Sequence, residues 1–287
     1  MWVLGVALMV VSEAATLAEI EPFWSWNTPI AWTGFIIFAD SVVFRARGHS
    51  WLRSAPKEFL GLALGSIPLW LVFEFYNRYL DNWSYVGLPD NFWLRMVGYA
   101  WSFATIWPAI FEGAELVAVM RTRARPASPA SPAPHAPPSV SAVSTTAIGA
   151  VMLACPFLVP AAAAGYLAAP VWLGFILLLD PINRGLGGAS LLYEERARRS
   201  DRLTNLSASG ALCGVLWEFW NYWARAKWHY TIPILDRFKI FEMPLLGYFG
   251  FPAFALECFT MYVFVRLLVC RVVLGAPFRQ TGRDIAL

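Results

Sequence analysis

Along the chain, apolar stretches of membrane-crossing length alternate with short polar breaks, and crossing a bilayer as a helix takes about 20 residues. The pattern predicts helices at about Trp2 to Ile20, Pro29 to Phe44, Glu58 to Tyr79 and a fourth ending near Met120. It predicts four more at about Ala147 to Leu167, Pro170 to Gly187, Thr204 to Ala226 and Pro252 to Arg271. Within these runs the stretch Leu216-Trp217-Glu218-Phe219-Trp220-Asn221-Tyr222-Trp223 is apolar and aromatic but for one carboxylate and one amide. Val72-Phe73-Glu74-Phe75-Tyr76-Asn77 repeats that Glu/Asn spacing earlier in the chain. A carboxylate inside a membrane-length helix is costly to place and marks a candidate site.

The echo extends beyond this motif. Trp32, Gly34, Phe35, Ile36, Asp40 and Gly48 match Trp172, Gly174, Phe175, Ile176, Asp180 and Gly188 at a spacing of 140. Glu74, Phe75 and Asn77 match Glu218, Phe219 and Asn221 at 144, and Trp83 and Tyr85 match Trp228 and Tyr230 at 145. Pro108 matches Pro252, with Glu112 and Glu257 following them. Matches in one order with small changes of offset imply a duplicated unit. The expected fold is therefore an all-α membrane bundle of about eight helices in two parallel repeats of about four. Its pseudo-twofold axis would run along the membrane normal.

Residues 1–120 form the first repeat in this reading and residues 146–275 the second, with a tail at 276–287. Between the repeats, residues 121–145 are dominated by Pro, Ala and Ser, with His135 among them, and read as an extended tether. The loops after the second, fourth, sixth and eighth helices carry basic residues, which assigns them and both termini to the cytoplasmic side of an inner (plasma) membrane. Arg225 to Lys239 is the awkward loop, expected outside yet basic. Leu80 to Phe92, mixed and aromatic, is expected at the interface.

Composition agrees with the pattern. The chain is 58% hydrophobic and only 14% charged, where soluble domains carry about 25% charge. A net charge of +3 spread over loops gives no reason to expect nucleic acid. The expected partner is a membrane lipid or a lipid-soluble small molecule. Cys155, Cys213, Cys258 and Cys270 lie in apolar runs without metal-ligand spacing, and His49 and His229 sit in loops, so no metal or other cofactor is expected.

Glu74 with Asn77, and Glu218 with Asn221, each share a helix face. With Glu112 and Glu257 placed early in helices that begin near Pro108 and Pro252, all six are expected at one depth near the axis. Phe73, Tyr76, Trp217, Trp220 and Trp223 would line that cluster. Two readings compete there: interhelical glue, at roughly 0.6 to 2 kcal/mol per hydrogen bond, or proton chemistry by buried carboxyls. Asp40 and Asp180 lie near inner helix ends, and Asp180 either caps a helix break or pairs with Arg184. Gly61/Gly65 and Gly210/Gly214 have the spacing for close helix approach.

Pro252-Ala253-Phe254-Ala255-Leu256-Glu257 resembles the acidic P-x-E-E helix start of the lycopene cyclase domain, with a longer spacing and one acid. Trp217-Glu218-Phe219 resembles the W-E-F tripeptide of the fungal membrane terpene cyclases. The resemblance implies an enzyme without metal in which Glu218 or Glu257 protonates an isoprenoid. Trp217, Trp220 and Trp223 would then shield the carbocation, and Glu74 would take the final proton. The alternatives are a carrier whose paired carboxylates bind a proton or cation, and a structural membrane protein.

Overall fold

In a computed structural model of the protein, the residues described are 1–122, 140–196, 201–233 and 238–273. The helices are α1 (Trp2–Leu17), α2 (Phe23–Arg47), α3 (Trp51–Ser54), α4 (Pro56–Leu80), α5 (Phe92–Thr122) and α6 (Val140–Leu158). They continue with α7 (Ala161–Ala164), α8 (Ala168–Gly185), α9 (Leu191–Arg196), α10 (Asp201–Trp223) and α11 (Gly250–Leu268). Most of the expected tether, His135 included, and the expected tail from residue 276 lie outside the described residues. Residues 140–145 belong to α6, where the Thr145 hydroxyl donates back to the Ser141 carbonyl as a helix allows.

Among the described residues, six helical stretches are long and apolar enough to cross a membrane. The expected count was about eight. The first helix stops after 16 residues, because Ala18 and Glu19 turn the chain and the Glu19 backbone enters the left-handed region at φ 56. The seventh, α10, is long enough at 23 residues but carries Asp201, Arg202, Asn205, Ser209, Glu218 and Asn221. Packed against α2, α5 and α11, it buries Asn205, Ser209, Glu218 and Asn221.

Strands depart from the all-helical expectation in two places. The aromatic segment after α4 holds β1 (Trp83–Val86), which pairs antiparallel with β2 (Lys227–Tyr230) from the loop after α10. Trp83 faces Tyr230, Tyr85 faces Trp228, and Ser84 faces His229. A smaller ribbon joins β3 (Lys239–Ile240) to β4 (Met243–Pro244). The basic loop is neutralised locally, with Arg225 on Glu21 at 3.2 Å and Lys227 and His229 on Glu242; Arg237 lies outside the described residues.

Helix proximity follows from small residues, though only in part from those the spacing suggested. A Cβ on Gly210 would meet the Phe251 carbonyl at 2.4 Å, and one on Gly214 would strike the Phe251 ring. Gly61 and Gly65 have nothing within 4 Å; they lie on α4 beside exposed Leu60 and Leu64, so their spacing makes no helix contact here. The closest crossings are α1 on α2 and α6 on α8. A Cβ on Gly5 would meet Gly34 O and Phe38 N at 2.6 Å, and one on Gly149 would meet Leu178 N at 2.3 Å.

Neither Gly5 nor Gly149 has slack, since the opposing atoms are backbone. Gly5→Ala and Gly149→Ala are each expected to destabilise the detergent-solubilised protein by about 1 to 3 kcal/mol through overpacking. Gly61→Ala and Gly65→Ala, facing open space, should leave the thermal midpoint unchanged or slightly raised. Equal effects at all four positions would overturn this account of the crossings.

Candidate functional site

The β1–β2 ribbon roofs a hollow of roughly 1070 Å³, including its open mouth, between the two halves of the chain. Trp32, Trp70, Trp83, Trp172, Trp217 and Trp228 line it with Tyr85, Tyr99, Tyr230, Phe103 and Phe254. Rings pack edge to face across the two halves, as in Trp32 on Trp217 at 5.8 Å and Phe73 on Phe254 at 5.4 Å. Such packing holds ring faces at fixed positions without polar groups between them.

Behind this wall sit two carboxylates. Tyr85 donates its hydroxyl to Glu74 Oε1 at 2.5 Å, joined by the indole N–H groups of Trp70 at 2.8 Å and Trp83 at 3.3 Å. Tyr230 donates to Glu218 Oε1 at 2.9 Å. Burial first, and then the neighbouring Glu74, holds the Tyr85 phenol well above the ordinary tyrosine range. Burial and Glu218 do the same for Tyr230.

Asn77 and Asn221 occupy equivalent places and make equivalent bonds. Asn77 donates to the Trp83 carbonyl at 2.7 Å and accepts from Trp83 N at 3.2 Å. Asn221 does so with Trp228, at 2.9 Å each way. Each amide thus anchors the strand that follows its own helix. The expected role of lining a substrate site does not describe these bonds, and neither does glue between two helices.

The six residues expected at one depth are dispersed. Pro108 lies inside the continuous α5, which begins sixteen residues earlier at Phe92 under an Asn91 side chain that accepts from Trp93 N and Leu94 N. A proline inside a membrane helix is tolerated when its neighbours satisfy the freed backbone. Glu112, one turn beyond Pro108, lies near Asp40 and Glu115, where Glu115 pairs with Arg47. Glu257 is 0% exposed and lies near Tyr76. None of the four glutamates lines the hollow. Neither oxygen of Glu112 has a hydrogen-bond partner among the described residues, and Glu257 lies against the Phe175 backbone.

The aromatic expectations divide in the same way. Trp217 lines the hollow. Trp220 packs on Trp32 at 4.8 Å behind it. Phe73 is buried against Phe175 and Phe254, and Tyr76 donates to the Leu153 carbonyl at 3.1 Å. Trp223 is 40% exposed and packs on Tyr222, outside the cluster, because it sits at the last residue of α10.

Asp40 and Asp180 are capping residues. Asp40 accepts from Leu52 N at 2.9 Å and pairs with Arg53. Asp180 accepts from Leu191 N at 2.7 Å, Leu192 N at 3.2 Å and the Ser190 hydroxyl at 2.5 Å. Arg184, the alternative partner expected for Asp180, is close enough to attract its carboxylate and stacks at 3.3 Å over the Tyr193 ring.

Several wall residues went unassigned in the sequence: Trp70, Tyr99, Phe103 and Arg95. Trp83, Tyr85, Trp228 and Tyr230 carried a signal, being repeated aromatics at a fixed spacing, but nothing in that spacing says that they face one another. Comparison with known protein families, with curated proteins and with solved structures finds no match.

The buried phenols set an alkaline limit on stability. Their folded pKa values are raised, so their contribution is full below the unfolded value of about 10 and is lost as pH climbs from there toward the folded values. Each phenol should cost about 1.4 kcal/mol per pH unit in that window. The paired variant Tyr85→Phe/Tyr230→Phe should flatten the fall in unfolding midpoint between pH 9.5 and about 11. An unchanged slope would show that these phenols ionise freely in the fold.

Proposed function

We propose that the chain is a membrane enzyme whose hollow admits a largely hydrocarbon, lipid-soluble molecule and whose two phenol–carboxylate pairs move a proton on and off it. The observation that carries this reading is an aromatic cavity whose wall meets two carboxylates behind it, half-buried Glu74 through Tyr85, Trp70 and Trp83 and buried Glu218 through Tyr230. An isoprenoid, with isolated alkenes and a long apolar body, suits such a wall.

In this mechanism protonated Glu218 gives its proton to the Tyr230 oxygen as the phenol O–H passes its own to an alkene carbon. A C–H bond forms, the π bond breaks, Glu218 is left as the carboxylate, and a carbocation faces Trp217 and Trp228. Cation–π attraction is worth about 2 kcal/mol or more in a desolvated site. Loss of a proton from the adjacent carbon to the Tyr85–Glu74 pair forms the new alkene, and proton exchange with water at the open mouth returns Glu218 to the acid and Glu74 to the carboxylate. Neither Glu257 nor Glu112 lines the hollow, and this route uses neither.

The same reading takes the chain as two copies of a four-helix unit, eight crossings in all, with basic ends and termini on the cytoplasmic side. Four repeated contacts support it. Asn77 and Asn221 bind the same strand position. Asp40 and Asp180 cap the same turn. Gly5 and Gly149 cross on equivalent residues. Arg53 over Phe44 becomes Arg184 over Tyr193, the cation and the ring having exchanged places. A carrier is the second reading, favoured by the occurrence of the acid–phenol pair in both halves.

In cells making isoprenoids, Glu218→Gln and Tyr230→Phe should each cut product in lipid extracts by about 100-fold or more at unchanged membrane insertion, while Trp223→Ala retains it. An unchanged product profile in Glu218→Gln would remove the enzyme reading. Proton-coupled uptake in proteoliposomes, lost in Glu74→Gln and Glu218→Gln alike, would establish the carrier.

A further inference from the structure

The lining of the hollow contains charges of one sign only. Arg95 and Lys227 are its charged residues, with no carboxylate among them. Lys227 is engaged, with its ammonium on the Tyr222 carbonyl at 3.0 Å and near Glu242 at 3.8 Å. Arg95 is half-buried, one turn into α5, and its guanidinium forms no ion pair among the described residues. Phe92, Trp93 and Leu94 beside it are exposed apolar side chains, which suits the level where lipid headgroups meet acyl chains.

A guanidinium at that level, unpaired and opening on an aromatic hollow, fits an anionic oxygen cluster attached to an apolar chain. Planar guanidinium donors bind phosphate and carboxylate oxygens in pairs. From this charge complementarity we propose that the hollow is selective for an anionic amphiphile, with its phosphate or carboxylate head on Arg95 and its hydrocarbon body among the tryptophans. This rests on the hollow being the substrate site, and it narrows the substrate class from any neutral hydrocarbon to a chain with an acidic end. Arg95 is then a specificity residue with no part in proton transfer.

The test uses the full chain in nanodiscs of neutral phosphatidylcholine, with tryptophan fluorescence reporting binding of dodecyl phosphate, dodecanoate, dodecanol and inorganic phosphate. Arg95→Gln should weaken the two anionic amphiphiles by about tenfold or more, Arg95→Lys should restore part of the loss, and dodecanol should be unaffected. A response confined to dodecyl phosphate or to dodecanoate would support the proposal and identify the head. Dodecanol binding as tightly as the anions, or Arg95→Gln leaving them unchanged, would overturn it while the hollow stands as a hydrocarbon site. Inorganic phosphate displacing dodecyl phosphate at equal concentration would overturn the need for the chain. If no amphiphile binds the wild type, the hollow itself is disproved as the site, whereas Trp223→Ala should retain full binding under either outcome for Arg95.

Discussion

The pairing of β1 with β2 is the constraint on which the rest of the architecture depends. Backbone that leaves a helix near a bilayer must find its hydrogen bonds within the protein, and a two-stranded ribbon is marginal by itself. Each half solves the problem in the same way: an asparagine late in its long polar-bearing helix holds the first residue or second residue of its strand. A glutamate one turn earlier holds the tyrosine at the strand's far side. The two strands then complete each other with Ser84 opposite His229. Ser84 and His229, 145 residues apart, meet face to face within the ribbon.

That geometry explains why the buried acids are where they are. Glu74 and Glu218 join neither helix to helix nor one half to the other; they fix strands, and the strands join the halves. The tyrosines so fixed become the wall of the hollow, and the carboxylates stand one bond behind it. Anchoring and proposed chemistry therefore share the same side chains, which is why a stability readout alone cannot separate them and lipid analysis is needed.

Much of the plan was legible from residue order. The alternation of apolar runs located the main helices, and the paired Glu/Asn motifs pointed to the two places where polar side chains are held in apolar surroundings. What residue order concealed was direction. A strand of four residues flanked by Asp81-Asn82 and Gly87 leaves no periodic signal long enough to separate it from a loop, so Trp83 and Tyr85 read as interface aromatics. Pro108 and Pro252 match in sequence, yet one lies deep in a 31-residue helix and the other in a first turn. The shared proline therefore does not mark a shared helix start, and Glu112 has Asp40 and Glu115 for neighbours. Arg95 gave no signal of its own, since a single arginine at a helix start is ordinary until a cavity opens beside it.

The two acids differ in their surroundings. Position 70 is a tryptophan, and the residue 144 further on is Gly214. Trp70 donates to Glu74, so that oxygen takes three donors, two indoles and the Tyr85 phenol. Gly214 has no donor to offer and instead admits the Phe251 ring of α11. Glu218 takes the Tyr230 phenol at 2.9 Å, with the Trp228 indole and the Glu242 backbone beside it. In the proposed reaction one acid gives a proton and the other receives it, a division of labour that needs the two pairs to be unequal, and the exchange of tryptophan for glycine is one source of that inequality.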